Sequence, residues 1–168
     1  MSYSTEESVR EVLIESIKLI APVDMGCSTV DLKIHPYLLE YEARERWPNY
    51  LMQPLATGAK AVQAWGVMIV GADPFWSSQD KTLRTYDIRV AGYYARGVGG
   101  EGVNRLITHA RKVRKAIRDL TTNLNRTVDR VIEGSQLNIS LDTSFDEGEG
   151  ALVIGTMDYV AEKAHPDF

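Results

Sequence analysis

The 168-residue sequence predicts a single α+β domain, with an antiparallel-dominated sheet of about four to five strands packed against two main helices. Two segments repeat apolar residues at the three- and four-residue steps of an amphipathic helix. Several others alternate in the way that strands do. The elements follow the order α, short β, β, β, α, β, β, and no repeat or long linker divides the chain.

The first helix is expected over about residues 4–20. Ser4 and Glu7 have the spacing of a capping box, in which each side chain bonds to a backbone N–H of the first turn. Pro22 ends the helix soon after its last apolar residue. The stripe that faces the core comprises Val9, Val12, Leu13, Ile17 and Ile20.

Residues 30–60 are less informative. Residues 30–34 alternate and predict a short strand. Residues 38–46 have room for one or two helical turns. No long element is expected over residues 35–60, because it is interrupted at Pro36, Pro48, Pro54 and Gly58.

The predicted core covers about residues 61–162 and begins with two strands. Residues 61–70 are apolar on both faces, which is typical of a central strand. After a polar connection over about residues 71–81, a strand is expected over residues 83–94, with one solvent-exposed face. Its apolar face carries Tyr86, Ile88 and Val90.

The second helix is predicted from about Gly102 to Thr122. Its apolar stripe comprises Val103, Leu106, Ile107, Ala110, Val113, Ile117 and Leu120. Two further strands, at about residues 127–142 and 151–161, follow it. An acidic, glycine-containing loop over residues 142–150 joins them.

Composition restricts the class of protein. The chain is 44% hydrophobic and 25% charged, as in ordinary globular domains, and its net charge of −4 does not favour a nucleic-acid-binding surface. The single cysteine, Cys27, excludes an intrachain disulfide and the usual structural zinc sites. We expect no secretory signal and no membrane span, because no run of about 18 apolar residues occurs.

No catalytic, cofactor-binding or metal site is predicted. His35, His109 and His165 lie far apart, and none has a suitably spaced ligand or catalytic partner in its own element. Cys27 follows Gly26 in a loop, where a lone cysteine gives little support for a nucleophile. We therefore interpret the protein as non-enzymatic.

The glycines at 97, 99 and 102 match the G-x-G-x-x-G pattern of dinucleotide-binding turns. A nucleotide- or phosphate-binding module is thus an alternative. Asp87 and Arg89 in the preceding strand argue against it, because a doubly wound sheet requires a buried apolar strand there. Glu101 would also lie beside the phosphates, so a flexible connection is favoured.

Three arginines of the second helix, Arg111, Arg114 and Arg118, fall on one face at positions i, i+3 and i+7. This face is either solvated, a contact with another subunit, or a contact with DNA phosphates. The acidic loop offers Asp146, Glu147 and Glu149 at a mobile hairpin tip. The negative charge of such a tip could meet the basic helix of a neighbouring subunit.

Phe75 and Trp76 lie in the predicted connection between the two middle strands. Two adjacent aromatic residues in a loop are either buried beneath it or exposed as anchors for a partner protein. Both interpretations stay open at the level of the sequence.

Four segments of the core follow a recognisable order: a strand with an early tryptophan at 64–70, a strand at 86–93, a helix end rich in Asn and Thr at 117–128, and a closing strand at 155–160. Over about residues 61–162, this order resembles the tail-terminator and related neck or tail-completion proteins of long-tailed bacteriophages. Residues 35–60 follow no pattern of that family.

The resemblance implies a small α+β subunit that forms a homohexameric ring, caps the tail tube and joins it to the neck or connector. The implied partners are the tube protein, the neck protein and, where a sheath is present, the sheath protein. DNA would pass through the lumen without specific binding, and the protein would be assembled into the virion in the host cytoplasm. A neck adaptor or another tail-completion protein is the alternative, because these proteins share a fold. The family supplies no catalytic residues.

Overall fold

A computed structural model of the chain describes residues 6–28, 34–35, 52–78, 81–122, 128–142 and 151–166. It shows an α+β fold, as the sequence predicts, with two helices on one face of a mostly antiparallel sheet. The helices are α1 (Glu6–Lys18) and α2 (Glu101–Thr122). The strands are β1 (Ile34–His35), β2 (Met52–Pro54), β3 (Lys60–Ser78), β4 (Lys81–Ala95), β5 (Arg130–Glu133), β6 (Asn138–Asp142) and β7 (Leu152–Pro166).

The described sheet has seven strands, more than the four to five expected, because four short strands accompany three long ones. Its order is β1-β3-β4-β7-β5, with β2 also paired to β3 and β6 also paired to β7. Only β1 runs parallel to its neighbour among the described pairs. Because β5 and β6 pair with successive stretches of β7, together they form one edge of the sheet.

Both predicted helices are present, at nearly the predicted positions. Ser4 of the expected capping box lies outside the described residues, and α1 is followed by a single turn of 3-10 helix, Pro22–Met25, which ends at Gly26 in the left-handed region. Of the strand expected at residues 30–34, only Ile34 is described, and it belongs to β1. The helical turns considered for residues 38–46 also lie outside the described residues, whereas β2 was not predicted.

The predicted connection over residues 71–81 is wrong. β3 continues through it to Ser78 and pairs with β4 along almost its whole length. The pairing register shifts between Ile69 and Gly71 and again between Asp73 and Trp76. Such bulges let residues without a ladder partner remain in a strand, so Pro74, which has no N–H to donate, is tolerated here.

The single strand predicted over residues 127–142 is two strands, separated at residues 134–137. The break is fixed by contacts with β7. The Gly134 N–H donates to the Asp158 carbonyl (2.8 Å), and the Asp158 N–H donates to Ser135 Oγ (2.9 Å). A Cβ on Gly134 would lie 3.2 Å from the Asp158 oxygen, so a glycine suits this close approach.

The main core lies between the helices and one sheet face. Leu106 of α2 fills a hollow made by Gly92 of β4 and Gly155 of β7, which oppose each other in register. A Cβ on Gly92 would come within 2.7 Å of a Leu106 methyl carbon, and one on Gly155 within 2.9 Å. The two glycines therefore set how closely α2 approaches the sheet.

The opposite sheet face is buried at one end and open at the other. A second apolar cluster there comprises Val62, Ala64, Ala91, Tyr93 and Leu152. Earlier in β4, Asp87 is exposed and Arg89 pairs with Asp158 (2.9 Å). The predicted solvent-exposed face of β4 is thus confirmed at Asp87 and Arg89, whereas both faces are buried from Val90 to Tyr94.

Candidate functional site

A cluster of polar side chains is buried where α2 crosses β3 and β4. The Trp65 indole N–H donates to the Tyr94 hydroxyl (3.1 Å). That hydroxyl lies 2.7 Å from Nδ1 of His109. Because the hydroxyl already accepts from Trp65, its own hydrogen is free to bond to an unprotonated Nδ1.

The electrostatics of the cluster agree with a neutral His109. Burial, together with the positive charges of Arg105 and Lys112, lowers the pKa of His109 to about 4. Burial also raises the pKa of the Tyr94 hydroxyl above its ordinary value. At neutral pH, the pair is therefore an uncharged hydrogen-bonded unit.

Gln63 connects this unit to the N-terminal part of the chain. Its amide nitrogen donates to the Met25 carbonyl (2.8 Å) and to Cys27 Sγ (3.2 Å), while its oxygen accepts from Arg105. The Arg105 guanidinium in turn lies 5.7 Å from the centre of the Tyr94 ring. The cluster thus joins the turn after α1 to β3, β4 and α2.

The geometry of this buried cluster favours a structural role over chemistry. The Cys27 side chain is buried and burial raises the pKa of its thiol, which disfavours the thiolate that a nucleophile requires. Each amide atom of Gln63 is used inside the fold. Among the described residues, no three His, Cys, Asp or Glu side chains converge as metal ligands would.

Sequence reasoning treated His109 and Cys27 as isolated and missed the cluster. One signal was available: Gln63 is the only polar residue among the inward positions 63, 65, 67 and 69 of an otherwise apolar strand face. A buried amide of this kind requires partners, although the sequence does not show which residues supply them.

The glycine-rich segment is a tight turn between β4 and α2. Gly97, Gly99 and Gly100 have positive φ angles of 70°, 64° and 75°. The Gly102 N–H donates to the Arg96 carbonyl (2.8 Å), and a Cβ on Gly102 would lie only 1.7 Å from the Ala95 carbonyl oxygen. Since β4 also runs antiparallel to both its neighbours, chain reversal accounts for these glycines without a bound nucleotide.

The three arginines of α2 do not form a common free surface. Arg118 makes two contacts with the Glu133 carboxylate (2.7 and 3.3 Å), and Arg114 donates to the Ser135 carbonyl (3.2 Å). Arg118 therefore connects the end of α2 to the end of β5, and Arg114 connects α2 to the segment between β5 and β6. Arg111 is exposed, with no ion pair among the described contacts.

Only some of the other predicted surface residues are among those that the structure describes. Phe75 and Trp76 belong to the strand β3 and not to a loop, so their assignment to a connection is wrong, because the bulges extend the strand through them. Asp146, Glu147 and Glu149 lie outside the described residues. Neither group is therefore assigned to a partner by the fold.

Exposed apolar side chains occur on opposite sides of the molecule. At the end of α1, Leu19 is 86% exposed and Val23 is 72% exposed, beside a cleft of about 520 Å³ between α1 and α2. On β6, Ile139 is 43% and Leu141 50% exposed, while Val70 on β3 is 46% exposed. Ile139 and Leu141 are two positions apart on one face of β6, and exposed apolar residues grouped at a sheet edge are typical of interaction surfaces.

The fold and this surface define a small α+β domain whose helices share one sheet face and whose edges carry apolar residues. Comparison with protein-family models finds no match, and no curated protein matches the chain. Among the described residues, no helix has the length and apolar character needed to cross a membrane. The surface geometry and the order of segments along the chain are consequently the features that bear on function.

Proposed function

We propose that this protein is a structural subunit of a long-tailed phage virion: a tail terminator whose homohexameric ring caps the tail tube and joins it to the neck. The resemblance over residues 61–162 supports this proposal. So does the architecture, since the described parts of the segments that carry the resemblance lie mainly in β3, β4, α2 and β7, the long elements of one layered unit.

The observation that carries the proposal is the placement of exposed apolar side chains at two different sheet edges. Ile139 and Leu141 belong to β6, on the β7 side, and Val70 to β3 at the other side. Self-association through two different surfaces is head-to-tail, and head-to-tail contacts generate rings when the rotation between copies closes.

Such a ring would act by covering the exposed end of the tail tube. Seated on the last layer of tube subunits, it would prevent further addition and offer its other side to the neck protein, and to the sheath where one exists. DNA would move through the central opening without specific contacts, in keeping with the net charge of −4. The protein would reach the virion after assembly in the host cytoplasm.

Native mass spectrometry and electron microscopy of the purified protein test the proposal. The expected result is a particle of six times the 18.8 kDa chain mass, with a central opening. Addition of isolated tail tubes should place the particle at one tube end. A protein that remains monomeric, even with tail tubes present, would contradict the proposal.

The same experiment separates the alternative role. A neck adaptor or another tail-completion protein would leave the tube end bare and bind the isolated connector. Terminator and adaptor share the fold and differ in which surface meets which partner. The location of the bound particle in the images therefore decides between them.

A further inference from the structure

One flank of α2 is apolar in its first half and basic in its second half. Arg114 donates to the Ser135 carbonyl and Arg118 to the Glu133 carboxylate, so this flank faces β5 and β6. Its members recur at three- and four-residue steps: Val103, Ile107, Arg111, Arg114 and Arg118. Arg111 is exposed, and none of the ion pairs between described residues includes it. The basic half therefore keeps one guanidinium that no described carboxylate neutralises.

β6 continues the apolar half of this flank. Ile139 pairs with Gly155, beneath Leu106 of α2, so its side chain lies on the helix side of the sheet. Leu141, two residues further along β6, lies on the same side. The two side chains are 43% and 50% exposed, so both project into solvent. Arg111 is five residues beyond Leu106, about 8 Å along the helix from the level of Ile139. Ile139, Leu141 and Arg111 form the β6 surface.

The end of α1 and the cleft beside it form a second exposed apolar area. Leu19 is 86% and Val23 is 72% exposed, next to the cleft of about 520 Å³. The two lysines and two aspartates that line the cleft balance each other in charge. Ala116, which also lines it, is two residues from both Arg114 and Arg118, or about 200° around the helix. The cleft and the basic flank therefore lie on opposite sides of α2.

Carboxylates lead up to this apolar end of α1. Glu7, Glu11 and Glu15 recur at four-residue steps on the exposed side of the helix, and the last of them is four residues before Leu19. Like charges at this spacing repel each other, so the row is stabilised by cations from outside it. Lys18 lies 3.6 Å from Glu15 in an exposed pair, which contributes little. Leu19, Val23, Glu11 and Glu15 form the α1 surface.

The two surfaces are complementary in charge and in spacing. On α1, Glu15 precedes the exposed Leu19 by four residues, about 6 Å of helix. On the β6 surface, Arg111 lies about 8 Å from the level of the exposed Ile139. The long side chains of arginine and glutamate accommodate this difference. Because the two surfaces lie on opposite flanks of α2, they meet only between two copies of the chain.

We infer that the β6 surface of one copy binds the α1 surface of the next copy: the aliphatic side chains meet at the cleft, and Arg111 faces the carboxylates of α1. The inference rests on the proposed ring and specifies its contact. Charge complementarity makes a second copy of this chain the occupant of each surface. Since the two surfaces differ, the contact is head-to-tail, and its repetition closes a ring when the rotation between copies permits. The partner of β6 is thus α1, and Val70 of β3 lies outside the contact.

Two variants that each lose one surface test the contact. Leu19→Lys with Val23→Lys removes the α1 surface, and Ile139→Lys with Leu141→Lys removes the β6 surface. Each variant alone should be a monomer in native mass spectrometry. An equimolar mixture should give a dimer with one chain of each kind, and nothing larger. All four side chains are at least 43% exposed, so the circular-dichroism melting curves should stay close to that of the unmodified chain.

Charge reversal provides a second readout. Arg111→Glu should abolish the assembly, because it places a carboxylate opposite those of Glu11 and Glu15. Glu11→Arg with Glu15→Arg should abolish it in the same way. All three substitutions in one chain bring opposite charges together again and should restore the assembly. Charged residues that are only solvated would not show this recovery.

Val70→Lys is the matched control, because Val70 is also an exposed aliphatic residue, at 46%, and lies outside the contact. It should leave the assembly intact. Loss of the assembly with Val70→Lys, but not with the other lysine variants, would place the contact on β3 and overturn the inference. Dimers of the variant that lacks only the α1 surface would show a symmetric β6 contact and overturn it as well. So would a mixture of the two variants that stays monomeric.

The outcomes keep the two proposals apart. If the unmodified protein forms the ring and both pairs of lysine substitutions leave it intact, the inference fails and the ring proposal stands. Variants that keep the ring but no longer bind tail tubes would assign the two surfaces to the tube instead. If the unmodified protein forms no ring, even on tail tubes, the proposed function itself fails by the mass measurement.

Discussion

At the scale of single residues, the fold depends on polar atoms that find partners only inside it. Gln63, Tyr94 and His109 come from three elements, and each is bonded to a residue far away in sequence. Removing one partner of a buried hydrogen bond typically costs about 1–3 kcal/mol. These residues therefore specify how the elements fit together, in addition to any stability they contribute.

The depressed pKa of His109 predicts a pH-dependent stability. Its value of about 4 in the fold lies below 6.5, the ordinary value, so the unfolded chain binds more protons between these two pH values. The free energy of unfolding should therefore fall as the pH is lowered from about 6.5 to 4, by up to about 3 kcal/mol. Urea unfolding at pH 7 and pH 5 measures this effect.

The His109→Asn variant is the control for that experiment. Its side-chain oxygen can accept the Tyr94 hydroxyl proton, but it does not titrate. The variant should be less stable than the unmodified chain at pH 7 and should lose less stability between pH 7 and pH 5. Equal pH dependence in the two chains would show that His109 is not the source.

Gly102→Ala should be strongly destabilising, against the usual trend for helices. Alanine ordinarily favours a helix over glycine by about 1 kcal/mol. Here, its Cβ would lie 1.7 Å from the Ala95 carbonyl oxygen, a backbone atom that cannot move away cheaply. We expect a loss of about 3 kcal/mol or more in urea unfolding.

Asn104→Ala is the matched control for Gly102→Ala, because Asn104 is exposed in the same first turns of α2. Its effect should stay within about 0.5 kcal/mol. A Gly102→Ala variant as stable as the unmodified chain would contradict the close approach of α2 to β4.

At the scale of elements, strong local patterns predicted the two helices correctly. The strand predictions were wrong where contacts between residues distant in sequence determine the structure. The apolar stripe of α2 predicted the sequence range of this helix, because its apolar residues recur at helical spacing. The extension of β3 was missed because Gly71, Asp73 and Pro74 are turn-forming residues, and only the pairing with β4 holds them in a bulged strand. The break at Gly134 depends on Asp158, which is distant in sequence.

The packing of α2 on the sheet predicts coupling between Gly155 and Leu106. Gly155→Ala should destabilise by about 1–3 kcal/mol through overpacking against the Leu106 methyl groups. Leu106→Ala should cost about 2–5 kcal/mol, because it leaves a cavity. Combined, they should cost at least about 1 kcal/mol less than their sum, since the new methyl group enters the space that Leu106 vacates.

A second cycle serves as its control. Leu13 of α1 is also fully buried, yet none of its atoms is among the three nearest to a Cβ on Gly155. Gly155→Ala and Leu13→Ala should therefore add within about 0.5 kcal/mol. Additive effects in both cycles would contradict the hollow that we describe for Leu106.

At the scale of the whole molecule, the sequence predicted the class of fold and not the assembled sites. The alternation of strands and the order of elements are local properties, and they were sufficient for an α+β sheet with two helices. The buried cluster unites residues 27, 63, 94, 105 and 109, whose meeting depends on the sheet order. Likewise, Arg114 contacts Ser135 in the bend after β5 and Arg118 contacts Glu133 just before it, and the position of this bend was not predicted.

The two different contact surfaces have a consequence for which assembly states would be populated. In an open row of copies joined head to tail, the first and last copies each keep one surface uncovered. The contact that closes the row into a ring joins two ends of the same particle. The effective concentration of these ends is high, so this contact lacks the entropic cost of recruiting another copy. If copies join into the proposed ring, partial rows should accordingly be scarce beside free chains and complete rings, and the population should change between these two states cooperatively as the protein concentration rises.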